Sequence, residues 1–138
     1  MTQEEEFQRY ATLVEYYKEQ LQSLEQQFSY LQAAVMDYNK AKITIEKIGE
    51  SDEGTELLIP MGGGTFSFAK AKNTKKILTE IGAGIVMEKK PEDALKILDK
   101  RIEELEKNQE TISNMSQNIQ QQLREVSTKA QRLLAERK

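Results

Sequence analysis

The sequence predicts an α+β protein: a long antiparallel two-helix coiled coil with a central insert of two β-hairpins, which assembles with other chains into an oligomeric β body. Three observations predict it. Heptad hydrophobic stripes occupy both ends of the chain, four short β-like runs joined by glycine-bearing turns lie between them, and this middle stretch is too small to form a core alone.

The first stripe runs Phe7, Tyr10, Val14, Tyr17, Leu21, Leu24, Phe28, Leu31, Val35 and Tyr38, alternating by three and four residues without a miss. It weakens at Lys42 and resumes at Ile45. Gly49 then reads as a C-terminal stop, which puts the first helix at residues 1–48. The second helix spans residues 91–138. Pro91 suits its first position, and Glu92 and Asp93 place negative charge in its first turn. Its stripe is Leu95, Leu98, Ile102, Leu105, Gln109, Ile112, Ser116, Ile119, Leu123, Val126, Ala130 and Leu133. The basic run "KAQRLLAERK" reads as a C-terminus whose cations complement the helix dipole.

Neither helix can bury its stripe alone. With Ile45 opposite Leu95, one antiparallel register carries through both arrays and sets Phe28 against Ile112, with Gln109 near Leu31 and Ser116 near Leu24. A lone polar seam position lowers stability and fixes register. The alternative is that each helix pairs with another chain.

Residues 49–90 form the insert. After "GESDEG" come "TELLI" (55–59), "TFSFA" (65–69), "KKILTE" (75–80) and "GIVME" (84–88), joined by "PMGGG", "KAKNT" and "IGAG". Isolated hairpins are marginal, and chains below ~40 residues rarely make a core. Their bare edges invite pairing. The insert therefore requires partner β segments, giving an obligate oligomer with a sheet or barrel body.

Chemistry is excluded as readily as architecture is assigned. The chain has no cysteine and no histidine, which removes disulfides, thiolates, imidazole bases and the usual zinc ligands. "PMGGGTFSFAK" superficially suggests a phosphate loop, but the next lysine, Lys70, lies beyond a strand and no helix opens there. Gly82-Ala83-Gly84 lacks the third glycine of a dinucleotide fingerprint, having Met87 in its place. Both glycine runs read as turns, no cofactor or metal is expected, and no catalytic residues emerge. The 20 basic and 23 acidic residues are interspersed without a basic aromatic patch, so no nucleic acid is expected. No stretch has the length of a membrane span, and the acidic N-terminus is not a secretory signal, so a cytoplasmic location is expected.

Apolar residues off the seam are the remaining signal. Leu13, Tyr16 and Leu134 lie outside the stripes near the ends of the helices, beside Phe7, Tyr10 and Leu133. They form either an exposed binding patch at the tip or a broadened seam packing on a neighbouring coil. Tyr30, Met36 and Met115, further in, read as surface or flanking contacts.

The order helix, two hairpins, helix, with "LLIP", a glycine-bearing turn and "IGAGIVME" in the middle, resembles the alpha class of prefoldin subunits over essentially the whole chain. The beta class carries one hairpin. The resemblance implies an ATP-independent co-chaperone in a hexamer of two alpha and four beta subunits. A double β-barrel body then carries six coiled-coil tentacles, whose tips hold non-native client proteins and pass them to a group II chaperonin. Carried over by position, Phe7, Tyr10, Leu13, Tyr16, Leu133 and Leu134 become client-contact candidates. Leu57, Ile59, Phe66, Phe68, Ile77, Ile81, Ile85 and Val86 become oligomerisation candidates. A structural coiled-coil spacer or filament subunit without client binding is the alternative.

Overall fold

A computed structural model describes residues 2–136. Its element order is α1 (Gln3–Glu50), β1 (Glu56–Gly62), β2 (Thr65–Lys70), β3 (Ile77–Gly82), β4 (Ile85–Lys89) and α2 (Pro91–Glu136). The chain divides into two units: residues 2–34 with 105–136, a pure coil, and residues 35–104, which hold the hairpins and the adjoining helix ends.

In the coil unit, Thr2 caps α1, its Oγ1 accepting the Glu5 N–H at 3.2 Å and its carbonyl the Glu6 N–H at 3.0 Å. Every seam residue named for α1 from Phe7 to Leu31 is half-buried or buried except Phe28, which is 38% exposed. The seam of α2 from Leu105 to Leu133 is half-buried throughout. Gln109, the polar seam position, donates from Nε2 to Gln32 Oε1 at 2.7 Å, so its amide is satisfied. This pairing fits the register inferred from the stripes. The last described turn of α2 has no basic residue; Arg137 and Lys138, the end of the expected cationic cap, lie outside the described residues.

In the hairpin unit the core is small: Val35, Ala71, Ala94, Leu98 and Ile102, with Thr74 and Thr79. Lys42, the interruption of the first stripe, reaches Asp99 Oδ1 at 2.5 Å. That hydrogen bond holds the ammonium above its ordinary pKa, opposed by partial desolvation and aided by the charges of Asp99 and Glu46. Gly49 does not stop α1, contrary to the sequence reading. The helix continues to Glu50, and the absent side chain serves close packing instead: a Cβ there would lie 3.2 Å from Pro91 Cβ at the start of α2. Termination falls to Ser51, whose Oγ donates to the Lys47 carbonyl at 2.6 Å.

The strands form two separate antiparallel two-stranded sheets, β1–β2 and β3–β4. Both strands entering a turn reach further toward it than expected. β1 runs through Pro60, Met61 and Gly62, and β3 through Ile81 and Gly82. Each carries one extra residue just before its turn, Met61 or Ile81, shifting the register. The turns are then only Gly63-Gly64 and Ala83-Gly84, with positive φ at all four residues. That is the two-residue type I′ pattern, whose twist matches the strands. Pro60 is tolerated because a two-stranded sheet consists only of edges.

Candidate functional sites

The glycine run is a turn. After Gly64 the chain enters β2 rather than a helix, and Thr65 Oγ1 closes the loop by donating to the Gly62 carbonyl at 2.6 Å. Among the described residues no group of acidic side chains is arranged to hold a metal.

Pairing in the first hairpin sets Leu58 opposite Phe68 and Pro60 opposite Phe66, so these four share one face. Leu57 pairs with Ala69 and Ile59 with Ser67 on the other. The middle of this outer face is apolar and open, with the charged pair Glu56 and Lys70 at its base: Phe68 is 77% exposed, and Leu58 and Phe66 are exposed with it. In the second hairpin Leu78 pairs with Glu88 and Glu80 with Val86, while Ile77 pairs with Lys89 and Thr79 with Met87. Leu78 is 71% exposed and Val86 is also open, whereas Thr79 is buried and Ile77 and Lys89 are half-buried. The eight expected assembly residues are thus divided between opposite faces. Ile59, Phe66, Phe68, Ile81, Ile85 and Val86 are exposed, and Leu57 and Ile77 are half-buried.

Four exposed residues of this surface were not singled out from the sequence: Leu58, Met61, Leu78 and Met87. The signal was present. Consecutive apolar residues, as in Leu57-Leu58-Ile59, leave both faces of a strand apolar, the pattern of a strand covered on each side. A second signal is a 20-residue offset that superimposes Leu58 on Leu78, Gly62 on Gly82 and Gly64 on Gly84.

At the other end of the helices, Tyr16 is 52% and Leu134 46% exposed. Tyr16 leans on the seam residue Tyr17, with ring centroids 5.7 Å apart. Phe7, Tyr10, Leu13 and Leu133 are half-buried, part seam and part surface.

Two seam helices flanking a pair of hairpins with bare edges correspond to a known family. The family model "Prefoldin subunit" matches residues 17–136. The chain belongs to the prefoldin family. A prefoldin subunit alpha of Archaeoglobus fulgidus is 30% identical over 126 residues, covering 91% of this chain and 92% of the relative. Another, from Methanosarcina barkeri, is 29% identical and covers 94% and 92%. These matches place the chain with the archaeal-type alpha subunits of prefoldin. A filamentous prefoldin solved from Methanocaldococcus jannaschii shares the fold, with a TM-score of 0.62, 23% identity and coverage of 91% of this chain and 98% of that one. Membership assigns a chaperone-type function within an oligomeric, coiled-coil family. Among the described residues no helix is long and apolar enough to cross a membrane.

Proposed function

We propose that the chain is an ATP-independent holding co-chaperone that binds non-native proteins at its coil tips and delivers them to a group II chaperonin. The observation that carries this reading is the exposure of Tyr16 and Leu134 outside the seam, on helices whose remaining apolar stripe is at least half covered nearby. Phe7, Tyr10, Leu13 and Leu133 extend that patch, and their partial burial suits residues that fray outward to meet a client. The bare hairpin faces support assembly with partner subunits; the proposed assembly is cytoplasmic, two alpha with four single-hairpin beta subunits. Multivalency then explains how weak tips suffice, since several tips on one body raise effective concentration without new contacts.

Deleting residues 1–16 together with 131–138 tests the assignment. The truncated chain is expected to assemble with its beta partner and to lose suppression of aggregation of an unfolded client. Undiminished suppression would remove the tip from the mechanism. A structural spacer or filament subunit without client binding would suppress no aggregation even at full length.

A further inference from the structure

Midway along the coil the surface changes character. Residues 20–34, "QLQSLEQQFSYLQAA", contain one charged side chain, Glu25, and residues 108–123, "NQETISNMSQNIQQQL", also one, Glu110. The whole chain is 31% charged. The Gln109–Gln32 hydrogen bond sets these two stretches alongside each other, so the depletion forms one neutral belt within the coil unit.

The belt is also where the seam is least closed. Phe28 stays 38% exposed, although Leu24 one turn earlier is buried. Beside it lies a shallow groove of about 450 Å³, lined by Gln27, Tyr30, Leu31, Asn108, Thr111 and Ile112. Tyr30 rises 78% exposed between this groove and a second depression of about 580 Å³ bordered by Gln22, Gln26, Ser29 and the belt's one α1 charge, Glu25. Among the described residues, the belt's side-chain amides form only two hydrogen bonds within the protein, Gln27 to Ser23 and Gln109 to Gln32.

A side-chain amide carries the same donor and acceptor as a peptide bond. A row of open glutamines and asparagines can therefore hydrogen-bond the backbone of an extended chain whatever its sequence. Exposed Tyr30 and Phe28 add apolar contact that is equally tolerant. Carboxylates or ammonium groups here would cost desolvation on contact and select for charge; the belt has almost none. We propose that it is a second binding surface, for extended, weakly charged polypeptide segments, using residues distinct from the tip. The proposal rests on the holding-chaperone reading for its ligand class and not on the tip residues.

The test uses the full chain assembled with its partner subunit, carrying Tyr30→p-benzoylphenylalanine. The probes are a biotinylated, end-capped extended peptide of Gly, Ser, Gln, Leu and Tyr, and a matched peptide with Lys and Glu interspersed. The neutral peptide is expected to crosslink several-fold more than the charged one. Gln27→Glu with Asn108→Glu should lower the neutral yield by about tenfold, the equivalent of ~1.4 kcal/mol. Gln27→Lys with Asn108→Lys should lower it similarly, which separates loss of neutrality from repulsion by Glu25 and Glu110. Circular dichroism checks that both variants keep their helix content. Deleting residues 1–16 and 131–138 should leave the crosslink within about twofold of the intact assembly, even if it abolishes client holding at the tip. Equal labelling by both peptides, crosslinks mainly to another copy of the chain, or loss of crosslinking with the tip deletion would overturn the proposal.

Discussion

Hairpins β1–β2 and β3–β4 repeat one backbone at an offset of 20 residues, each with a residue bulged before a two-residue turn, yet they present different chemistry. Where the first has Pro60, Phe66 and Phe68 on its outer face, the second has Glu80, Val86 and Glu88. Where the first has Ile59 and Ala69 on its inner face, the second has Thr79 and Lys89. Attachment differs as well. The second hairpin is tied to α2 by the Arg101 guanidinium, which donates to the Glu80 carbonyl, and Thr79 is buried. The first is joined at its base by backbone bonds from Gly54 N to the Ala71 carbonyl at 2.7 Å and from Ala71 N to Thr55 at 2.9 Å. One backbone solution thus carries two surfaces: the second hairpin is bonded to α2 of its own chain, and the first leaves Phe66 and Phe68 open, which suits the proposed role in assembly.

Assembly should therefore respond unequally to the two outer faces, and this is the largest effect expected. Burying a phenylalanine is worth roughly 1.5–3 kcal/mol. Phe66→Ser with Phe68→Ser should weaken association with the beta subunit by ~100-fold or more. Val86→Ser should cost about tenfold. Native mass measured against partner concentration gives both values. Equal losses would mean that the hairpins contribute alike and that the apolar excess of the first is incidental.

The turns test the shared backbone. Gly63 has φ +59° and its counterpart Ala83 has φ 51°, a region where a Cβ costs about 1–2 kcal/mol. No neighbour lies within 4 Å of a Cβ built at Gly63, so Gly63→Ala isolates the backbone cost. It should destabilise by about 1 kcal/mol, and Ala83→Gly should recover a similar amount. Denaturant unfolding of the assembled protein measures both. Opposite signs support one turn geometry in two places.

How much of this was legible in the sequence follows from which interactions are local. Heptad stripes are set by spacing along one helix, so the seam could be read residue by residue, including Gln109 and Lys42 as its weak points. The antiparallel register followed because the two arrays are of similar length and one alignment, with Ile45 opposite Leu95, carries through both. The strand faces were less legible. Leu57-Leu58-Ile59 is apolar on both sides, and alternation alone cannot say which side meets Phe66 and Phe68; pairing decides it, through the bulge at Met61. Gly49 misled for a related reason: a glycine stops a helix or lets another backbone approach, and only Pro91, more than forty residues away in sequence, shows which. At the coil ends, spacing located Leu13, Tyr16 and Leu134 off the seam, but not that Leu13 would be half covered while Tyr16 and Leu134 stay open.

Seating of the second hairpin can be sharpened at Thr79. Its hydroxyl is buried without a hydrogen-bond partner, where the first hairpin has Ile59. An unsatisfied buried polar atom costs about 1–3 kcal/mol. Thr79→Val removes it at nearly constant volume and should stabilise the fold by about 1 kcal/mol, with slower amide exchange across residues 77–89 and none of that change across 56–70. Slower exchange in both hairpins would show that they are coupled rather than separately attached.

The smallest expected effect concerns the charges that replace aromatic area. Lys76 Nζ lies 3.4 Å from Glu88 Oε2 across the second hairpin, and both side chains are more than half exposed. The equivalent positions in the first hairpin are Glu56 and Phe68, which form no such pair. An exposed ion pair contributes about 0–1 kcal/mol, because water screens the attraction and two long side chains lose freedom to make it. Glu88→Gln should accordingly shift stability by less than ~0.5 kcal/mol at moderate salt, and still less at high salt. The same substitution leaves the outer face polar, so partner affinity should not change. Glu88→Phe gives the second hairpin the aromatic residue of the first, and it should raise partner affinity or produce self-association. If Glu88→Gln alone lowered assembly strongly, the second hairpin would be engaging its partner through charge, and the division between a seated hairpin and an offered one would have to be redrawn as two kinds of contact with the same neighbour.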